Sequence, residues 1–357
     1  MNRMPADLSD AVAPSAEAQP LLRVQDLAVE FGSGPNTVHA LRSVGFSLAK
    51  GRTLALLGES GSGKSVTSLS IMGLLPRRSA HITSGQVFFD GHDIIAAPQN
   101  YIRRLRGSEI AMIFQDPLSS LNPVQTVGHQ IDEMFRRHRG ASRRQARAQT
   151  LELMRRVRIP DPRRRASSYP HEFSGGMRQR VMIAMAIALE PRLLIADEPT
   201  TALDVTVQAQ IVELLTELRD ERGMALLFIT HDLGVVAPLA DEVAVMYAGR
   251  IVENGPTRQV YDRPLHPYTA GLLRSLPDMS EGRERLLPID GNPPDLRAVP
   301  PGCAFAPRCP YAIPECRAQI PPLLRFGGDR ASACIRVEDI ADGLSQSVEV
   351  PGTGKPR

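Results

Sequence analysis

The octapeptide Gly58-Glu59-Ser60-Gly61-Ser62-Gly63-Lys64-Ser65 spaces its glycines, lysine and hydroxyl in the pattern that cradles a nucleoside triphosphate. Glycines let backbone N–H groups close around a β-phosphate. Lys64 would reach the β- and γ-phosphates, and the Ser65 hydroxyl would bind Mg²⁺. Asp197 and Glu198 end the apolar run Leu193-Leu194-Ile195-Ala196. The first would orient the Mg²⁺ shell and the second would polarise an attacking water. Ser174-Gly175-Gly176 opens a helical pattern through Arg180, Ile183 and Ile187, and a helix start offers N–H groups and a hydroxyl to an anion. One phosphate already has its loop, so this second cradle is expected to serve a partner subunit's nucleotide. Cys303, Cys309, Cys316 and Cys334 are the only cysteines, and all lie in the last 55 residues.

These groups need elements to hold them. The run Thr53-Leu54-Ala55-Leu56-Leu57 reads as a buried strand, and 66–75, starting at Val66, as the helix behind the phosphate loop. Further apolar strands are expected at 110–114, 193–196, 225–229 and 243–247. A helix face of Val207, Ile211, Leu214, Leu215 and Leu218 precedes Gly223, a helix stop. Such alternation predicts an α/β fold with a parallel sheet covered by helices. Separate strands at 21–24, 28–31 and 43–48, and Val87-Phe88-Phe89 before the turn Asp90-Gly91, predict an antiparallel element beside it. The strands stop between Pro117 and Leu189, where an arginine-rich helical lobe is expected.

The chain has 357 residues, enough for one large and one small domain. No apolar stretch approaches the roughly 20 residues of a membrane span. Residues 1–20 lack a signal-peptide core and read as a disordered leader, so a cytoplasmic location is expected. A net charge of +3 is too small to argue for nucleic acid. Arginine pairs at Arg136-Arg137 and Arg143-Arg144 and the run Arg163-Arg164-Arg165 read as a phosphate-backbone patch or as solvated helix faces; without interleaved aromatics the second reading is favoured.

With those motifs in order, the chain resembles the ATP-binding subunits of ABC transporters over about residues 20–260. The matching segments are the Walker A loop (Gly58 to Ser65), a Q-loop at Gln115, the signature Ser174-Gly175-Gly176-Met177, and the Walker B strand ending at Glu198. A D-loop (Thr201-Ala202-Leu203-Asp204) and a switch histidine, His231, complete the set. Phe173 and Met177 depart from the common signature but leave its Ser-Gly-Gly intact. The resemblance implies a RecA-like P-loop core with an antiparallel β subdomain and a helical subdomain. It implies two cassettes that sandwich two ATP, with Glu198 as general base and His231 on the γ-phosphate. Gln115 would link Mg²⁺ and the attacking water to a membrane subunit. Phe31 would stack on adenine, or else is a core strand residue.

The segments 261–269 and 300–310, with the four cysteines, resemble the C-terminal region of oligopeptide and dipeptide (peptide/nickel) importers. That resemblance implies two transmembrane permeases, a second cassette, identical or paralogous, and an extracytoplasmic solute-binding protein. It also implies a peripheral position on the cytoplasmic face of the inner membrane and no nucleic-acid partner. Peptide, nickel or another small solute remains open as cargo. The expected domains are the ATPase at 21–262, with the lobe at about 117–189, a Pro/Cys-rich domain at 263–340, and a disordered tail at 341–357.

The cysteine spacing is C-x5-C-x6-C-x17-C, without the tight pairs of zinc ribbons. Four thiolates among prolines suit a [4Fe–4S] cluster, with Zn²⁺ and four unligated thiols as alternatives. The C-terminal region is expected to be held by this metal site rather than by an apolar core. Two other classes compete. A soluble ABC ATPase acting on DNA or ribosomes would usually carry two cassettes or long coiled coils. A redox sensor with an inactive cassette is opposed by the complete motifs.

Overall fold

The computed structural model describes residues 19–116, 120–201, 203–275 and 288–345. The leader, the last part of the tail and Ala202 of the D-loop lie outside them, apart from Gln19 and Pro20 of the leader.

Among the described residues, twelve strands form two sheets. β1 (Leu22–Phe31), β2 (Val38–Leu48), β4 (Ala80–Phe89) and β5 (His92–Asp93) make an antiparallel sheet in the order β2-β1-β4-β5. The two strands expected at 21–24 and 28–31 are one strand. The irregularity between them falls at Asp26, whose φ of 46° kinks the chain without ending the pairing. The eight-stranded sheet runs β11-β12-β10-β9-β3-β8-β7-β6. Its parallel centre is β3 (Thr53–Leu57), β6 (Ile110–Ile113), β7 (Leu193–Asp197), β8 (Ala225–Thr230) and β9 (Glu242–Tyr247). β3 is buried at every position, which is why its sequence is continuously apolar rather than alternating. Its side chains still alternate. Leu54 and Leu56 join Leu22, Val29, Val87 and Phe89 of the antiparallel sheet. Ala55 and Leu57 face the opposite side with Ile183, Ile211 and Leu215.

α1 (Lys64–Ile71) follows β3 directly. The lobe is α2 (Val127–Arg139), α3 (Arg143–Arg156) and α4 (Gly175–Ile187), capped by Thr126, Ser142 and Ser174 respectively. Ile131, Phe135, Leu153 and Met154 are its buried stripe, while Arg136, Arg137, Arg143, Arg144, Arg163 and Arg164 are exposed, the placement of solvated faces. α5 (Val205–Arg222) buries Ile211, Leu214, Leu215 and Leu218 and stops at Gly223 in the left-handed region (φ 60°).

The C-terminal region corrects an expectation. It is not held by cysteines alone. β10 (Arg250–Pro256) pairs with β12 (Ala331–Ser332), which pairs with β11 (Leu324–Arg325), so this region extends the main sheet at its edge. α6 (Pro267–Arg274) buries Tyr268, which meets Tyr247 of β9 and Phe305 at ring-centroid distances of 4.5 and 5.4 Å. Glu253 on β10 is fully buried; burial raises its carboxyl pKa, and the opposing partners are the amides of Leu265 and His266 and Arg330 Nη2 at 3.1 Å. α7 (Val337–Ser345) runs into the segment read as a disordered tail and packs Ile340 and Leu344 on Ala270. Two-residue strands and isolated aromatics between prolines carry no period, so the sequence concealed this core.

Candidate active site

The phosphate loop leaves β3 at Leu57 and re-enters helix at Lys64. Gly58 has φ 153°, and a Cβ there would stand 2.3 Å from the Met246 carbonyl oxygen on β9. Only glycine fits between loop and sheet. Lys64, 5% exposed, donates to the carbonyls of Gly58 (2.7 Å) and Glu59 (3.1 Å) and lies 3.9 Å from Glu198 Oε1. Burial pulls its ammonium below the usual lysine pKa, opposed by Glu198, Asp197 and Glu59. The Glu59 amide donates to Tyr268 Oη at 2.8 Å, so this N–H is anchored to α6 rather than aimed at a phosphate.

Asp197 is buried at the end of β7, and its two oxygens accept from Ser65 Oγ and Ser68 Oγ, each at 3.2 Å. Burial raises its pKa, and the two hydroxyls oppose the rise. Glu198 follows in the left-handed region at φ 47°, a conformation that a non-glycine residue holds only under restraint. The restraint is visible in its partners. Glu198 Oε2 accepts from Gln115 Nε2 (3.0 Å) and Thr201 Oγ1 (2.9 Å), and Oε1 lies 3.3 Å from His231 Nδ1.

Phe31, Gly58, Glu59, Ser60, Gly61, Gly63, Lys64, Ser65, Val66, Gln115, Glu198 and His231 all line one cavity of about 930 Å³. Phe31 is half-buried there, at the end of β1. Ser62 turns inward and is buried, and Asp197 stands behind Ser65. Ser174, Gly175 and Gly176 do not line this cavity. Ser174 and Gly175 are exposed at the start of α4, and Gly176 packs toward Val207 of α5. Asp204 is exposed and caps α5, accepting the Val207 amide at 2.9 Å.

Several contributors were missed in the sequence. Ser68 sits one helical turn after Ser65, and i,i+3 spacing is the signal that could have found it. Leu272, Ser275, Ile289 and Leu296 line the cavity from the C-terminal region, and nothing local in the sequence links them to the loop.

Beside Gln115 lies an apolar groove of about 460 Å³, between β6 and the lobe. Its walls include Phe114, Leu121 and five methionines, Met72, Met112, Met134, Met182 and Met185. The four cysteines, all free thiols, line a separate small cavity with His266 and Phe305. Burial raises the Cys303 thiol and pushes Cys309 to about 11 and Cys334 to about 12. As placed, no group of three or more His, Cys, Asp or Glu among the described residues could hold a metal ion. The structure thus presents four thiols around a shared cavity.

Loop, paired carboxylates, glutamine and histidine on the carboxyl ends of a parallel sheet define a P-loop ATPase of the ATP-binding-cassette class. Residues 41–201 match the ABC transporter family, and residues 252–316 match the C-terminal region of oligopeptide/dipeptide transporters. A Brucella ovis protein, described as a candidate peptide import ATP-binding protein, is 52% identical over 334 residues, covering 90% of this chain and 99% of its own. A Brucella abortus protein of like description is 51% identical over 320 residues, 90% and 96% of the two chains. The dimeric ATP-binding cassette MJ0796, in a post-hydrolysis state with ADP and Pi, superposes with a TM-score of 0.59 at 28% identity, over 66% of this chain and 99% of that one. The cbiO1 subunit of the Clostridium perfringens cbiONQ ABC transporter complex gives 0.58 at 27%, over 68% and 91%. The chain belongs to the ABC transporter family, in the branch marked by the oligopeptide/dipeptide C-terminal region. It is an ATPase. No helix among its described residues is long and apolar enough to cross a membrane.

Proposed function

We propose that this chain is the ATP-hydrolysing subunit of a peptide importer, working in a pair of cassettes on two membrane permeases. The observation that carries the reading is the division of the site. Lys64, Ser65, Gln115, Glu198 and His231 share one cavity, while the Ser174 cradle stands outside it on an exposed helix start. A cradle that does not line its own chain's cavity suits a second chain's nucleotide.

In this reading MgATP lies between the phosphate loop of one cassette and Ser174–Gly176 of the other. Lys64 exchanges its carbonyl partners for phosphate oxygens, and Phe31 takes the adenine. Ser65 and Asp197, with Gln115, would hold Mg²⁺; their oxygens form a hard donor set that fits it. The ion, when bound, screens phosphate charge. Glu198 accepts a proton from water as the water oxygen bonds to the γ-phosphorus and the bond to the β–γ bridging oxygen breaks, releasing ADP and phosphate. His231 stabilises the γ-phosphoryl oxygens. Asp204, at the head of α5, completes the seam between cassettes.

A peptide cargo is favoured over nickel by the names of the relatives and by the C-terminal match. Action on nucleic acid is disfavoured by a net charge of only +3. The methionine-rich groove beside Gln115 is the proposed dock for a permease helix, since methionine walls adapt to an apolar partner. The chain would then be peripheral on the cytoplasmic face of the inner membrane, with the solute-binding protein on the far side. In vesicles holding both permeases, docking of the loaded binding protein should raise ATPase turnover; an unchanged rate contradicts the importer. Phe114→Asp, at a groove residue 38% exposed, should abolish co-purification with the permeases, and retention would remove the groove from the interface.

The cysteines are proposed to hold a [4Fe–4S] cluster. All four line one small cavity, and their spacing lacks the tight C-x2-C pairs of zinc ribbons. Anaerobically purified protein should be brown, absorbing at about 400 nm, with about four iron atoms per chain. Cys303→Ser should lose the colour. Colourless protein with stoichiometric zinc would establish the alternative.

A further inference from the structure

Glu59 places a carboxylate inside a loop whose ligand is a polyanion. Left alone, it would repel the phosphates. Its partner comes from 249 residues away in sequence: Arg308 Nη1 meets Glu59 Oε2 at 2.7 Å and Nη2 meets Oε1 at 3.0 Å. The fork is bidentate, and Arg308 is only 5% exposed, so solvent screens the pair weakly. Arg308 also donates to Asp290 O (2.9 Å), Ile289 O (3.2 Å) and Tyr247 Oη (3.3 Å). Ile289 lines the same cavity as Glu59.

We propose that Arg308 is a positioning residue for ATP: it neutralises Glu59 and fixes the C-terminal wall of the nucleotide cavity. The assignment rests on the ATPase reading of that cavity. Arg308 does not touch the reacting atoms. It acts through Glu59 and through the carbonyls that place Ile289. The cassette therefore depends on its C-terminal region for nucleotide affinity, and the dependence is electrostatic.

The test is MgATP affinity of the full-length chain, with KM and kcat read in parallel. Arg308→Gln leaves an unpaired carboxylate and should weaken MgATP at least tenfold, about 1.4 kcal/mol, raising KM more than it lowers kcat. Adding Glu59→Gln to that variant removes the repulsion and should restore affinity to within about threefold of the parent. Arg308→Lys keeps the charge without the fork and should recover more than half of the loss on a logarithmic scale. Glu59→Gln alone should tighten MgATP; it remains readable if the Arg308 variants do not fold. Unchanged affinity in Arg308→Gln, a double variant as weak as that single one, or weaker binding in Glu59→Gln each overturns the proposal. A parent chain that binds no MgATP would instead overturn the ATPase reading.

Discussion

Glu198→Gln is expected to lower turnover at least a hundredfold, about 2.7 kcal/mol or more, the range for losing a general base. The substitution is nearly isosteric. Gln115 Nε2 and Thr201 Oγ1, at 3.0 and 2.9 Å from Oε2, would still find an amide oxygen. What disappears is the capacity to take a proton from water. The strained backbone of Glu198, with φ 47°, aims the group whether it is acid or amide. MgATP should then accumulate unhydrolysed, and the paired cassettes should persist on size exclusion when nucleotide is present. Single-turnover kinetics with radiolabelled ATP give the decisive reading. A rate within tenfold of the parent would mean that another group accepts the proton.

Ser174→Asp should have an effect of similar size for a different reason. Ser174 caps α4, its Oγ accepting the Met177 amide at 3.4 Å. Aspartate caps a helix about as well as serine, so the fold should survive. The substitution instead places a negative charge where the proposed sandwich puts the partner's phosphates. Turnover is expected to fall about a hundredfold or more, and ATP-dependent pairing should vanish. MgATP affinity of the single chain separates the readings. A parallel loss of that affinity would place Ser174 on its own chain's cavity and end the sandwich model. Normal turnover would show that the cradle meets no phosphate.

Much of the fold was legible because its signals are local. Each of the five parallel strands contains an apolar run, and runs buried on both faces leave that trace whatever their partners. The helix ends at Ser174 and Gly223 were readable because caps and stops are decided within one turn of backbone. The join of 21–24 to 28–31 was not, since a kink at Asp26 and a strand end look alike in composition. β10 escaped notice for a related reason. Its buried Glu253 breaks the apolar pattern, and only the amides of Leu265 and His266 with Arg330 make that charge tolerable.

The sequence alone determined the identity of the phosphate loop, its acids and its helix-start cradle, because each is a run of neighbouring residues whose chemistry depends on spacing along the chain. The tertiary structure decided which of them meet. It gathered Gln115, Glu198 and His231 beside Lys64, left Ser174 outside, and brought Arg308 and Tyr268 from the C-terminal region onto Glu59. The reason is physical. Ion pairs and hydrogen bonds between distant segments depend on sheet order and burial, and neither leaves a period or a motif in the residues that make them.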